Sequence, residues 1–91
     1  MSYSFNFTAA NKKEAKQQVS VELAKAVAGQ PEHAADLNHV NTLAHGFIDA
    51  LDVPEGRGVH CTVFGSIGRR YGDDAGLAIN DISMNISVGV A

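Results

Sequence analysis

The chain has 91 residues, of which 45% are hydrophobic and 19% charged, and its formal net charge at pH 7 is −3. This length fits one domain, 1–91, and the acidic balance disfavours a dedicated nucleic-acid binder, which usually carries a basic excess. The single cysteine, Cys61, excludes an intrachain disulfide and a zinc site built from cysteines. Residues 1–30 show no signal-peptide pattern and no apolar run reaches transmembrane length, so we expect a soluble cytoplasmic protein without membrane association.

The first predicted element is a strand. From Ser2 to Thr8, aromatic residues alternate with small polar ones, so that Tyr3, Phe5 and Phe7 share one side. A period of two is typical of a strand with one buried face. The three rings predict that this face contributes strongly to the core.

The first helix is predicted to begin near Asn11. Glu14 follows three residues later, which resembles a capping box, and Thr8 is the alternative cap. The apolar stripe of this helix recurs in steps of four: Ala15, Val19, Leu23 and Val27.

The second helix is predicted from about Pro31 to Leu51 or Asp52. Gly29 suits a left-handed position after the first helix and Pro31 suits a first helical turn, so the short break predicts a helical hairpin. The predicted core stripe comprises Leu37, Val40, Ala44, Phe47 and Leu51. The polar stripe is expected to face solvent and comprises Asn38, Asn41, His45, Asp49 and Asp52.

Two further strands are predicted at Val59 to Ile67 and Ile79 to Val90, and Gly65 marks a bulge or a close backbone contact in the first of them. Residues 68–77, with three glycines and two adjacent aspartates, are predicted to form the loop between them. The order β-α-α-β-β predicts an α+β two-layer fold, in which a three-stranded antiparallel sheet carries the helical hairpin on one face. The pattern leaves open which hairpin strand pairs with the first strand.

The outward side of this sheet is predicted to lack Lys, Arg, Asp and Glu. It is either a solvated face or an interface with a second copy or another protein, because neutral polar groups are cheaper to desolvate than charges. A ligand or nucleic-acid platform is the third interpretation, and one Phe without Lys or Arg matches it poorly. The final strand is also uncharged from Ile82 onward, and such an edge favours pairing with another strand. We expect a homo-oligomer, most simply a homodimer, with these self-association residues: Ser4, Asn6, Thr62, Phe64, Ser83, Asn85 and Ser87.

A second binding patch is predicted at the hairpin tip. Arg69, Arg70 and Tyr71 are of the residue types enriched at binding hot spots, and Phe64 and His60 lie on the adjacent strand. The competing interpretation is a flexible tip without a partner. A nucleic-acid-associated regulator is the alternative function, and its contacts would be Lys12, Lys13, Lys16, Arg69 and Arg70.

No catalytic residue, cofactor or metal site is predicted. His33, His39 and His45 are six residues apart, which places them on different sides of one helix. His60 and Cys61 are adjacent on a strand and point to opposite faces, so they cannot form a Cys-His nucleophile pair. The sequence therefore favours a binding protein over an enzyme.

The chain resembles small uncharacterised proteins encoded in bacteriophage and prophage genomes. The resemblance lies in the opening Met1 to Phe7, the helix start Lys12 to Lys16 and the Ala-rich helical hairpin around Gln30 and Pro31. It implies an intracellular accessory protein that acts by binding, with a host protein as the partner, and it assigns no functional residues.

Overall fold

A computed structural model describes residues 1–71 and 78–91, with the backbone alone described at 69–71 and 78–82. The predicted α+β fold and its β-α-α-β-β order are confirmed. A short 3₁₀ turn, Pro31–His33, precedes the second helix. The elements are β1 (Ser2–Ala9), α1 (Lys12–Gly29), α2 (Ala34–Ala50), β2 (Val59–Tyr71) and β3 (Ala78–Val90).

The sheet is antiparallel and has the strand order β1-β2-β3. β1 therefore pairs with β2, which answers the question that the sequence pattern left open. Ser2 lies opposite Ser66 and Ala9 opposite Val59, and the register continues through Gly65 without a bulge. β1 and β3 are both edge strands, so each leaves one row of backbone groups available for pairing.

The hairpin strands are longer than predicted. Gly68 to Tyr71, which we expected in the loop, belong to β2 and pair with residues 78–81 of β3. Hairpin pairing adds backbone hydrogen bonds whatever the side chains are, so the low strand propensity of glycine does not end the ladder here. Residues 72–77, the rest of the predicted loop, lie outside the described residues.

The helical hairpin begins as predicted, with Asn11 rather than Thr8 as the cap. Asn11 Oδ1 accepts a hydrogen bond from the Glu14 backbone N–H at 2.9 Å, and Glu14 Oε2 accepts one from the Ala10 N–H at 3.2 Å. The prediction of a left-handed Gly29 is wrong, because Gly29 is the last residue of α1. Among the described residues, Gly56 alone has a positive φ, of 82°.

The core lies between the sheet and both helices, with α1 packed over β1 and β2 and with α2 packed against β3. The predicted stripe of α2 is wrong at Phe47, which is 49% exposed, whereas Ile48 is fully buried. A strict alternation of three and four drifts around an α-helix, so the buried stripe moves on by one residue after Ala44. The buried residues are Tyr3, Ala15, Val19, Leu23, Leu37, Val40, Ala44, Ile48, Val59, Cys61, Val63 and Ile67.

Candidate functional site

The outward face of the sheet is the side turned away from the helices. The strand register brings all seven predicted self-association residues onto it: Phe64 lies between Ser4 and Asn85, and Thr62 lies between Asn6 and Ser87. By the same register Arg70 and Asp81 also occupy outward positions near the hairpin tip, and their side chains lie outside the described residues. The outward residues whose side chains are described carry no charge. They are Ser2, Ser4, Asn6, Thr8, His60, Thr62, Phe64, Ser66, Ser83, Asn85 and Ser87.

Phe64 lies on the middle strand and is the aromatic residue of this face. Its side chain is 49% exposed, and its direct cross-strand neighbours, Ser4 and Asn85, are too small to cover the ring. An exposed ring surrounded by neutral polar groups is a typical anchor for contact with another protein surface.

His60, on the same strand as Phe64, is held by two hydroxyl groups. Its Nδ1 lies 3.2 Å from Thr8 Oγ1 and its Nε2 lies 3.4 Å from Thr62 Oγ1. Both partners can donate or accept, so they orient the ring without fixing its tautomer. Neither partner is an acid, so this pair of contacts positions the imidazole on the surface and does not activate it as a base.

On the inner side of the sheet, the two edge strands meet across Gly65. The Tyr3 hydroxyl passes over this glycine and donates to the Ser83 carbonyl at 3.4 Å. A Cβ at Gly65 would lie 2.6 Å from that hydroxyl and closer still to the Ser83 oxygen, which confirms the predicted close contact. Burial raises the pKa of Tyr3.

The predicted partner patch is only partly placed by the structure. Arg69, Arg70 and Tyr71 end β2, where their backbones pair with Asn80, Ile79 and Ala78. Their side chains lie outside the described residues. Phe64 and His60, predicted to join them, are on the outward face and about 13 Å apart along the strand.

The prediction that the polar stripe of α2 faces solvent is wrong for Asn41 and His45, which are half-buried, whereas Asp49 is exposed and bonds to α1. Lys16 Nζ contacts Asp49 Oδ1 at 2.9 Å, and Lys12 Nζ donates to the Asp49 carbonyl at 3.1 Å. The Lys16 hydrogen bond holds the pKa of the Asp49 carboxyl below its usual range. The next contact lies one turn after Lys16 on α1 and one turn before Asp49 on α2. There, Ser20 Oγ lies 3.2 Å from Asn41 Oδ1 and 3.0 Å from His45 Nε2.

These contacts form a polar seam between α1 and α2, composed of Lys12, Lys16 and Ser20 on one helix and Asn41, His45 and Asp49 on the other. Each set is spaced by four residues, so each forms one row along its helix. An antiparallel hairpin places the two rows side by side in opposite order. Matching spacings on the two predicted helices would have revealed the seam from sequence.

The Ser20–His45 pair resembles a nucleophile with its base but is arranged differently. Ser20 donates its proton to Asn41 Oδ1, so the His45 Nε2–H donates to Ser20 and cannot accept that proton. Neither residue lines any of the principal surface grooves that the described residues form. The pair therefore bridges the two helices.

The remaining candidate groups are the Cys61 thiol and the side chains that could bind a metal ion. Cys61 is fully buried and burial raises the pKa of its thiol, which lowers the reactive thiolate fraction. Within residues 1–68 and 83–91, where side chains are described, no three His, Cys, Asp or Glu side chains are grouped to hold a metal ion. In the same part of the chain, neither helix has the length and apolarity needed to cross a membrane.

No protein-family model, curated protein or solved structure matches this chain.

Proposed function

We propose that this protein is a small non-enzymatic interaction module that self-associates through the outward face of its sheet. The observation that carries the proposal is the lack of charge at the described outward positions within residues 2–8, 60–66 and 83–87, with the half-exposed Phe64 ring among their hydroxyl and amide side chains. Desolvating such a surface costs less than desolvating charged groups. Two identical copies of the face also meet without the repulsion between like charges that opposes many homotypic contacts.

The chemistry of the face suits contact with itself. Serine, threonine and asparagine side chains each carry a donor and an acceptor, so the same group can pair with its own copy across a two-fold axis. Phe64 supplies the apolar contact, and its neighbours Ser4 and Asn85 are small enough to let another surface approach the ring.

The face of one sheet is small. Its three strands at about 4.8 Å spacing, over the eight residues of β1, give an area of about 390 Å², roughly half of the ~800 Å² per partner in a standard interface. Face-to-face contact between two single sheets is therefore expected to be weak and reversible.

Sedimentation of the full chain over a concentration series, up to several hundred micromolar, tests this proposal. Thr62→Lys places a cation in the middle of the outward face and is expected to shift the average mass downward, because the charge must be desolvated on association.

Thr42→Lys is the matched control, since Thr42 is exposed on α2 and bonds only to the Asn38 carbonyl of its own helix. This variant should sediment like the wild-type protein. A wild-type protein that stays monomeric at the highest concentration would rule the proposal out.

The nucleic-acid alternative is less favoured by the contacts. Lys16 forms an ion pair with the Asp49 carboxylate, which partly neutralises its charge, and Lys12 donates to the Asp49 backbone carbonyl, so both ammonium groups are engaged within the fold. The side chains of Arg69 and Arg70, the other basic pair, lie outside the described residues. A cytoplasmic location, a phage accessory role and a host protein as partner stay predictions from the sequence.

A further inference from the structure

The two edges of the sheet have different surroundings. β1 is bordered by the polar side of α1, where Glu22 Oε1 accepts from Gln18 Nε2 at 3.0 Å and from Lys25 Nζ at 3.3 Å. The grooves beside β1 are lined by these residues and by Glu14. Charged side chains next to an edge strand oppose pairing with another chain, so the β1 edge is protected.

The β3 edge presents free backbone groups over its described length. The Ala91 N–H donates to the Gly58 carbonyl at 2.9 Å, and in an antiparallel ladder hydrogen-bonded pairs alternate with non-bonded ones. The backbones of Ser83, Asn85, Ser87 and Gly89 therefore bond to β2. Those of the intervening residues face outward, and these are Met84, Ile86, Val88 and Val90.

The side chains along this edge are apolar and incompletely covered. Met84, Ile86 and Val88 are only partly buried although they lie on the helix side of the sheet, and Val90 is 37% exposed. Residues 83–91 contain no Lys, Arg, Asp or Glu. Over residues 83–91, this edge therefore lacks the charges that protect β1.

Helix α2 extends this apolar surface above the edge. Asn41, His45 and Asp49 face α1, and at about 100° per residue Leu43 and Phe47 fall on the opposite flank. α2 packs against β3, so this flank stands on the side of the molecule where β3 is the edge. Phe47 is 49% exposed and Leu43 partly buried, with the acidic Asp36 two turns before Leu43.

We propose that a second copy of this chain docks at the β3 edge, with the two β3 strands paired antiparallel and Phe47 packed against the partner helix. Because self-association is the proposed function, the inference rests on it and adds the surface that the first pair uses. A strand paired antiparallel with its own copy is self-complementary about a two-fold axis.

The available area fits a stable dimer. The 13-residue β3 and the 17-residue α2 are about 44 Å and 25 Å long, and at roughly 10 Å width each they offer about 700 Å² per partner. Standard interfaces bury about 600–1,000 Å² per partner. β1, with eight residues, reaches only about 27 Å.

Edge pairing also enlarges the outward face. A six-stranded sheet made from two copies would double that face to about 780 Å², the size of a standard interface. We therefore expect dimers to form first through β3, and two dimers then to stack through their outward faces into a tetramer.

Sedimentation equilibrium of the full-length chain with two substitutions tests the edge. Phe47→Lys should raise the dimer dissociation constant by at least about 30-fold, as expected for loss of an aromatic hot spot that occurs twice in the interface. Its matched control is Val21→Lys, since Val21 is also 49% exposed but lies on α1. The control should leave the dissociation constant unchanged.

Val88→Pro is the second variant. The Val88 N–H faces the free edge, so proline there removes a donor to the partner strand and none to β2. Circular dichroism monitors the fold, and Phe47→Lys decides alone if the proline variant does not fold, because it changes no backbone group.

The outcomes separate the two proposals. A tetrameric wild-type protein, a dimeric Thr62→Lys and a monomeric Phe47→Lys together support both the face and the edge. Unchanged association of folded Phe47→Lys and Val88→Pro, with dissociation of Thr62→Lys, overturns the edge and leaves the face standing. A wild-type protein that is monomeric at several hundred micromolar overturns both.

Discussion

At the scale of single residues, Gly65 shows how one missing side chain joins three strands. The Tyr3 ring from β1 lies over this glycine of β2 and its hydroxyl reaches the Ser83 carbonyl of β3. The edge strands are thus connected by a side chain as well as through the middle strand. This contact lies directly beneath Phe64 and Ser66 of the outward face and helps to hold their strands in register.

Gly65→Ala is expected to lower the free energy of unfolding by about 1–3 kcal/mol, the usual cost of forcing an extra carbon into a filled site. The new Cβ would lie 2.6 Å from the Tyr3 hydroxyl and nearer to the Ser83 carbonyl, which is backbone and cannot rotate away. Urea unfolding at low protein concentration measures the change.

Gly89→Ala is the control for this substitution, because a Cβ there meets nothing within 4 Å. It should be neutral or slightly stabilising, since alanine restricts the unfolded chain more than glycine does. Equal losses at both positions would show that the cost comes from strand glycines in general and not from the contact with Tyr3.

Sequence alone located Gly65 but misplaced Phe47, for a physical reason. A lone glycine in an alternating strand has few explanations, and close approach is one of them. At Phe47 and Ile48 two adjacent residues are both apolar, and the spacing rule accepts either. The choice depends on where α1 lies, which is a tertiary property that no local pattern contains.

At the scale of elements, the polar seam adds to the register that apolar packing gives the helical hairpin. The contacts of Asp49 with Lys16 and of Ser20 with His45 form in one alignment of the two helices, the same one in which their apolar stripes are packed. The periodicity of each helix, taken separately, predicts that these polar residues face solvent. The hairpin itself was predicted, and the missing information was which face of each helix meets the other.

Ser20→Ala is expected to lower the free energy of unfolding by about 1 kcal/mol, because the loss of its hydrogen bonds exceeds the gain of about 0.5 kcal/mol in helix propensity. A double-mutant cycle with His45→Ala should give a coupling energy of about 0.5–1.5 kcal/mol. Thermal and urea unfolding supply the four free energies.

Thr42→Ala provides the reference for that cycle, since the Thr42 hydroxyl bonds to the Asn38 carbonyl of the same helix. It should be neutral or stabilising. Additive effects of Ser20→Ala and His45→Ala would mean that the contact between Ser20 and His45 contributes no coupling energy to the stability of the hairpin.

At the scale of the whole molecule, the composition of the surfaces was visible in the sequence, but their arrangement was not. The uncharged outward face follows from strand alternation alone. The difference between a protected β1 edge and an open β3 edge requires the order β1-β2-β3 and the position of each helix. Those depend on long-range packing, so the sequence indicated the final strand as a pairing edge without predicting how the helices leave one edge covered and the other open.

Salt dependence distinguishes this assembly from the nucleic-acid alternative. Residues 83–91 and the outward positions within residues 2–8 and 60–66 carry no charged side chains, so the dissociation constant for self-association should change by less than about three-fold between roughly 50 and 500 mM salt. A nucleic-acid complex that uses the five predicted basic residues would weaken by about four orders of magnitude per ten-fold rise in salt. Sedimentation equilibrium at both salt concentrations, paired with fluorescence anisotropy of a labelled DNA duplex, measures the two effects. Tight duplex binding that falls steeply with salt, together with a monomeric protein, would reverse the assignment in favour of nucleic acid.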